Sequence, residues 1–145
     1  MEPYYKEYKI EKHDIANAGT IASLTKRELK RRGLTRDYVK MVTIGIYEAE
    51  INVVIHSYGG EVTIHIDDEV VEIVFTDRGP GIESIDEAMS EGFSTASSYA
   101  IENGFGAGMG LPNIKAVSDE MELTSSIEGT RLYIKFNISS DNYES

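Results

Sequence analysis

Residues 42–56 read VTIGIYEAEINVVIH, an apolar run in which Glu48, Asn52 and His56 recur at every fourth position. In a helix, residues four apart lie on the same side, so these three polar side chains form one line. Apolar residues flank the line on both sides: Val42, Ile46, Ala49 and Val53 on one, Ile44, Ile51 and Ile55 on the other. A solvated helix face would be broad and charged instead. The pattern predicts a largely buried helix from about residue 36 to 57 that carries a narrow polar stripe.

The residue types in this stripe indicate phosphate chemistry. Asn52 offers a neutral oxygen to Mg²⁺, which prefers oxygen ligands and keeps several waters. Glu48, one turn earlier, can accept a proton from a hydroxyl group or water that attacks a γ-phosphate. The alternative is that Glu48 and Asn52 only satisfy nearby backbone groups or each other. We expect His56 to be a packing or hydrogen-bonding residue at the helix end, and Glu50, roughly opposite the stripe, to point outward.

A second motif, Asp77-Arg78-Gly79-Pro80-Gly81, follows the apolar run from Val70 to Phe75. It can be an ordinary turn, since aspartate and glycine dominate turns. In the functional interpretation, Asp77 accepts a hydrogen bond from the exocyclic amine of adenine. Gly79 and Gly81 then allow the backbone to pass close to the base and ribose.

Glycine occupies every second position from Gly104 to Gly110, directly before a predicted helix over residues 111–118. Alternating glycines expose consecutive N–H groups, and a helix N-terminus favours anions, so the stretch from Gly104 to Gly110 can form an anion site. No Gly-Lys-Ser/Thr follows, which excludes a Walker A loop. The alternative is a flexible linker. Lys115, one turn into the helix, can approach a phosphate or lie on the surface.

Gly129-Thr130 begins the last predicted strand. This pair can be a simple hairpin turn. In the functional interpretation, the Thr130 hydroxyl helps Asp77 to hold the base, directly or through water.

The remaining pattern predicts the fold class. Strands are expected over about residues 6–12, 62–66, 70–75, 121–123 and 132–138, and a further helix over 15–32 that ends at Gly33. Thr35 can cap the helix that starts at about residue 36. This order favours an α+β two-layer sandwich with helices on one face of a mixed sheet. We expect one domain over 1–138 and a frayed tail over 139–145.

Composition narrows the class of protein. The chain has 145 residues, no cysteine and a net charge of −11. The acidic balance argues against nucleic acid as a direct partner. No segment is apolar enough to span a membrane, and the lack of cysteine fits a cytoplasmic protein. Seven basic residues nevertheless lie between Lys26 and Lys40. They form either the solvated face of a helix or a docking patch for an acidic protein.

With these motifs, the chain resembles the GHKL ATPase superfamily. Glu48 to Asn52 is similar to its N box, Asp77 to Gly81 to its D-x-G-x-G box, and Gly106 to Gly110 to its second glycine box. Within the superfamily the chain most resembles the small bacterial anti-sigma-factor serine/threonine kinases. The single-domain length, the basic first helix and the segment after the N box all fit that group.

The resemblance implies a Bergerat-type sandwich that binds ATP and Mg²⁺. It implies that Glu48 is the catalytic base, Asn52 the Mg²⁺ ligand and residues 82–105 the ATP lid. The implied nucleotide-binding residues are Asn52, Asp77, Gly79, Gly81, Gly106, Gly108, Gly110, Leu111 and Thr130.

The resemblance also implies partners. It implies phosphorylation of a serine on a STAS-domain antagonist, and partner switching between this antagonist and a sigma factor or another regulator. Relatives that bind sigma factors commonly form dimers, so the resemblance is also compatible with a homodimer.

The chain departs from the family pattern in one respect: residues 79–114 contain no Lys or Arg to meet the γ-phosphate. This departure permits an alternative to the kinase, a non-catalytic, nucleotide-sensing module that sequesters a regulator. A third alternative is a detached histidine-kinase catalytic domain.

Overall fold

The computed structural model describes residues 1–79 and 110–145. Within them lies a five-stranded sheet formed by β1 (Tyr4–Ile10), β2 (Gly60–Ile66), β3 (Val70–Asp77), β4 (Glu120–Ser126) and β5 (Gly129–Asn137). The strand order is β1-β2-β3-β5-β4, and each neighbouring pair of these strands is antiparallel. The expectation of a mixed sheet was therefore wrong. Tight hairpins impose this direction on two of the pairs, β2–β3 and β4–β5, because a short turn can join only antiparallel neighbours.

Three helices accompany the sheet: α1 (Thr20–Arg31), α2 (Arg36–His56) and α3 (Gly110–Val117). The central helix, α2, packs against both α1 and α3. Its start is capped as predicted, since the Thr35 hydroxyl accepts a hydrogen bond from the Tyr38 amide at 3.3 Å. No helix in residues 1–79 or 110–145 has the length and apolar character needed to cross a membrane.

The first helix is shorter than predicted. A single 3-10 turn covers Ile15–Asn17, and α1 begins only after Gly19, whose φ of +95° is left-handed. At the other end Gly33, with φ +82°, terminates α1 as the sequence predicted. The apolar spacing over residues 15–32 therefore located the buried side of α1 correctly but missed the break before it.

One side of the sheet forms the core together with the helices, which confirms the two-layer α+β prediction. Alternate residues of the three central strands are buried on this side: Val62, Ile64, Ile66, Val71, Ile73, Phe75, Leu132, Ile134 and Phe136. The helices contribute Leu29, Val42, Ile46, Ala49, Val53 and Ile114. Because α2 lies at the centre of this layer, its register fixes where its polar stripe points.

The C-terminal residues differ from the expected frayed tail. Residues Ser140–Asn142 form a 3-10 turn, and the chain then pairs with the link between α1 and α2. The Thr35 amide donates to the Asn142 carbonyl and the Glu144 amide to the Gly33 carbonyl, both at 2.7 Å. Backbone hydrogen bonds of this kind, absent from any pattern in the side chains, explain why the sequence did not reveal the docking.

Candidate functional site

Asp77 ends β3 beside the start of β5. Its Oδ1 accepts a hydrogen bond from the Thr130 amide at 3.0 Å, and the carboxylate is half-buried. Burial raises the pKa of Asp77 above its ordinary value, while the Thr130 amide and the Arg78 charge act in the opposite direction. One oxygen is thus fixed by the protein. The other, Oδ2, makes no hydrogen bond within the described residues and is available to an amino group.

The turn after Asp77 is held by the β4–β5 hairpin. The Gly79 amide donates to the Glu128 carbonyl at 2.6 Å, and a Cβ on Gly79 would lie 2.6 Å from the Ile127 carbonyl oxygen. A Cβ on Gly129 would lie 2.0 Å from the Asp77 carbonyl oxygen. Both glycines are therefore required by the close approach of two backbone segments. This packing accounts for Gly79 without any ligand, and its predicted contact with base or ribose stays a prediction.

Thr130 contributes through its backbone. Its amide holds Asp77, whereas its hydroxyl lies 2.8 Å from the Ser125 hydroxyl across the hairpin. The predicted role of the hydroxyl in holding the base stays a prediction. The backbone contact was missed from the sequence because any residue except proline can supply an amide at that position.

Asn52 lies on α2 opposite the first residue of α3. A Cβ on Gly110 would lie 3.0 Å from Asn52 Nδ2 and 3.2 Å from Oδ1, so only a glycine leaves this space open. The Asn52 side chain is half-buried and has no hydrogen-bond partner within residues 1–79 and 110–145. A half-buried amide without a protein partner is costly unless a ligand or water completes it. In the described part of the chain, the start of α3 thus lies beside an Asn52 amide that has no hydrogen-bond partner.

Glu48 lies one turn before Asn52, and it too has no hydrogen bond or ion pair in the described parts of the chain. The alternative that Glu48 and Asn52 satisfy each other or nearby backbone groups is therefore not what the structure shows. The apolar residues predicted to flank the polar stripe of α2 are not all buried, because Ile44 is 38% exposed. Ile44 and Glu48 instead line a groove of about 330 Å³ between α1 and α2.

Glu50 corrects the prediction that it points outward. Its side chain is buried and accepts hydrogen bonds from the amides of Gly19 at 2.9 Å, Ile21 at 3.3 Å and Ala22 at 3.1 Å. Burial raises the pKa of Glu50, and these three hydrogen bonds lower it in part. Glu50 is thus the cap of α1, supplied by the neighbouring helix. The sequence indicated this role only indirectly. Gly19 precedes α1 and has no side chain with which to cap it, so the cap has to come from elsewhere in the chain.

The other predicted residues divide into three groups. His56 is half-buried at the end of α2, where burial lowers its pKa, consistent with a packing residue. Leu111 packs against the core, and Lys115 is exposed. Their predicted contacts with nucleotide stay predictions. Gly81, Gly106, Gly108 and the predicted lid over 82–105 lie outside the described residues.

The described residues offer few side chains that could hold Mg²⁺. No cluster of three or more His, Cys, Asp or Glu side chains able to hold a metal ion occurs in the two described ranges. Mg²⁺ is commonly held by one or two protein ligands together with phosphate oxygens and waters, so a single amide oxygen suits it better than a full protein cage. The Asn52 amide and Asp77 Oδ2, which have no hydrogen-bond partner among the described residues, therefore fit Mg²⁺ and an amino group respectively.

Known proteins resemble this chain in sequence and fold. The family model of the histidine kinase-like ATPase domain matches residues 12–136. The anti-sigma F factor of Priestia megaterium is 33% identical over 110 residues, which cover 70% of this chain and 71% of the relative. The serine/threonine-protein kinase RsbT of Bacillus subtilis is 33% identical over 96 residues, which cover 63% of this chain and 66% of the relative.

A solved structure shares the fold. The RsbU and RsbW domains of Rv1364c from Mycobacterium tuberculosis align with a TM-score of 0.62 and 16% sequence identity. The match covers 100% of this chain, which spans 35% of that longer protein. At this identity the likeness concerns the fold alone, and it agrees with the two-layer arrangement described above.

Proposed function

Because the chain belongs to the histidine kinase-like ATPase domain family, we propose that it binds Mg-ATP and phosphorylates a serine or threonine of a partner protein. One observation carries the proposal. Glu48 and Asn52 lie a turn apart on α2, neither has a polar partner among the described residues, and Gly110 leaves space beside Asn52. An amide beside the start of α3 suits a phosphate-bearing ligand, and a carboxylate one turn before it on α2 suits a proton acceptor.

In the proposed reaction each group has one task. Asp77 binds the adenine amine through Oδ2, and the first turn of α3 faces the phosphates. Asn52 would hold Mg²⁺, which when bound neutralises phosphate charge. Glu48 accepts the proton of the acceptor hydroxyl, whose oxygen forms a bond to the γ-phosphorus while the bond from that phosphorus to the β–γ bridging oxygen breaks. ADP is the leaving group.

The names of the relatives support a regulatory setting. Similar chains include an anti-sigma F factor and a serine/threonine-protein kinase. With the resemblance set out above, they support a STAS-domain antagonist as the phosphorylated partner. They also support a sigma factor or other regulator as the partner that is bound instead. Phosphorylation would then decide which of the two is held.

Phosphate transfer tests the proposal directly. Purified protein is incubated with Mg-ATP labelled at the γ-phosphate and with each STAS-domain protein of the source organism, and phosphoserine and phosphothreonine are measured. Glu48→Gln keeps the shape of the side chain but removes the base, so we expect transfer to slow by about 10²–10⁴-fold. The affinity for Mg-ATP should stay unchanged. Transfer at the wild-type rate in Glu48→Gln would contradict the assigned base.

A second candidate is a nucleotide-sensing module that sequesters a regulator without transferring phosphate. It is favoured by one observation, the absence of Lys and Arg from residues 79–114, which leaves no cation in that stretch for the γ-phosphate. The same experiment separates the two functions. Tight Mg-ATP binding with no labelled partner in any reaction supports the module, and phosphohistidine on a partner would support a histidine-kinase domain.

A further inference from the structure

The groove between α1 and α2 is a second feature of the site. It extends from Glu48 toward the start of α2, whereas Asn52 lies toward the end of that helix. Its lining combines residues of both helices, among them Lys26 on α1 and Ile44, Tyr47 and Glu48 on α2. Ile44 and Tyr47 are 38% and 37% exposed, so the groove has an apolar floor open to solvent. Exposed large apolar side chains that lie together are typical of binding surfaces.

Charge is distributed unevenly along this groove. Lys26 is exposed on α1, and Lys30 follows it by four residues, which places both on the same side of the helix. On α2, the exposed Lys40 precedes Ile44 by four residues. None of these three lysines has an ion-pair partner among the described residues, in a chain with a net charge of −11. The end of the groove away from Glu48 is therefore basic.

The wall of the groove is held rigidly. Glu50 binds the amides of Gly19, Ile21 and Ala22, which fixes the first turn of α1 against α2. Tyr47 lies against Gly19, where an added Cβ would be 3.2 Å from the tyrosine ring. A preformed surface binds a flexible segment at a lower entropic cost than one that must first be ordered.

From this arrangement we propose that the groove binds the acceptor segment of the protein substrate, with the acceptor hydroxyl at Glu48, an apolar side chain on Ile44 and Tyr47, and an acidic side chain at Lys26. The inference rests on the proposed kinase function and adds its substrate class: acidic segments with an apolar residue near the acceptor. Charge complementarity selects this occupant, because an isolated basic surface on an acidic protein attracts acidic partners and repels further copies of the same basic face.

The test uses arrays of twelve-residue peptides with a central serine and one scanned position each, probed with the full-length labelled protein. Wild-type protein should prefer Asp or Glu at one set of positions and an apolar residue nearer the serine. In Lys26→Glu the acidic preference should reverse to Lys or Arg, and in Ile44→Asp the apolar preference should disappear. The control is Lys6→Glu, the same charge change on the exposed side chain of β1, which should leave both preferences intact.

Reversal of preference in Lys26→Glu cannot result from loss of folding, so the outcome is decisive in both directions. A wild-type protein without acidic preference, or the same preference in Lys26→Glu, would overturn the proposal. Sedimentation showing that Lys26→Glu or Ile44→Asp turns a dimer into a monomer would also overturn it, since the occupant of the groove would then be a second copy of the chain.

Transfer of labelled phosphate to the peptides is measured on the same arrays. Binding preferences without transfer count against the kinase but not the groove, and transfer without preferences counts against the groove alone.

Discussion

The Glu50 carboxylate of α2 accepts a hydrogen bond from the Ala22 amide at the start of α1, at 3.1 Å and in a buried position. The helix that carries Glu48 and Asn52 is thereby joined to the helix that forms the other wall of the groove. The four first amides of a helix have no partners within it, and Glu50 satisfies three amides at the start of α1.

Glu50→Ala should lower the free energy of unfolding by about 2–3 kcal/mol, because it leaves buried amides without an acceptor. Glu50→Gln, which keeps one acceptor oxygen, should cost less. Urea unfolding followed by circular dichroism measures both. An unfolding free energy of Glu50→Ala equal to that of the wild type would contradict the capping role.

The same carboxylate predicts a pH dependence. Burial raises the pKa of Glu50 in the folded state above its unfolded value. Between the two pKa values the folded state binds more protons, so stability from this group decreases as pH rises through that window. Relative to Glu50→Gln, the wild type should therefore be most stable below the unfolded pKa and lose stability as the pH increases. If the unfolding free energy of the wild type relative to Glu50→Gln did not vary with pH, or increased with pH, the predicted direction would be wrong.

Gly110→Ala tests the space beside Asn52. The added Cβ would lie 3.0 Å from Asn52 Nδ2, so the amide must move away from its position. We expect weaker binding of Mg-ATP, while alanine in a helix should keep the unfolding free energy within about 1 kcal/mol of the wild type. Calorimetric titration and thermal unfolding measure the two effects. Ala116→Ser, on the exposed side of α3, is the control, and equal Mg-ATP affinity in both variants would refute the assigned space.

Removal of residues 139–145 tests the docked tail. The deletion breaks the bonds from Thr35 to Asn142 and from Glu144 to Gly33, together with the bond of the Tyr143 hydroxyl to the Asp68 carbonyl at 2.7 Å. Each net hydrogen bond contributes about 1 kcal/mol, so stability should fall by about 1–3 kcal/mol. Tyr143→Phe removes only the last of these bonds and should have a smaller effect. An unchanged urea midpoint after the deletion would show that the tail does not stabilise the fold, as expected of a frayed tail.

The parts of the fold with periodic side chains could be predicted from sequence. The stripe from Glu48 to Asn52 and the alternation of Val62, Ile64 and Ile66 indicated α2 and β2 correctly, since burial imposes these periods directly. The direction of the sheet could not be obtained in this way. Antiparallel and mixed pairing place the same residues inside, and for β1–β2 and β3–β5, which no short turn joins, only the backbone hydrogen bonds distinguish them.

At the site, the residues with distinctive chemistry could be located, but their protein partners could not. The sequence singled out Asp77 and Asn52, each of which keeps a polar atom without a partner among the described residues, whereas the contacts of Thr130 and Gly79 are made by backbone atoms that no residue type identifies. Glu50 was misplaced for a related reason. A helical wheel treats a charged residue as solvated and cannot show that the start of a neighbouring helix lies within reach.

Binding of Mg-ATP, on which every proposed step depends, requires Asp77 to hold the adenine, and Asp77→Asn tests this contact. The variant replaces an acceptor carboxylate by an amide and loses a charge-assisted hydrogen bond of roughly 1.5–3 kcal/mol. Asp141→Asn makes the same charge change on an exposed residue of the C-terminal turn and serves as the control.

Calorimetric titration with Mg-ATP and Mg-GTP gives the deciding measurement. The wild type and Asp141→Asn should bind ATP alike and more tightly than GTP. Asp77→Asn should bind ATP at least about tenfold more weakly and lose the preference over GTP. An ATP dissociation constant in Asp77→Asn equal to that of the wild type, with the fold intact, would contradict adenine binding by Asp77.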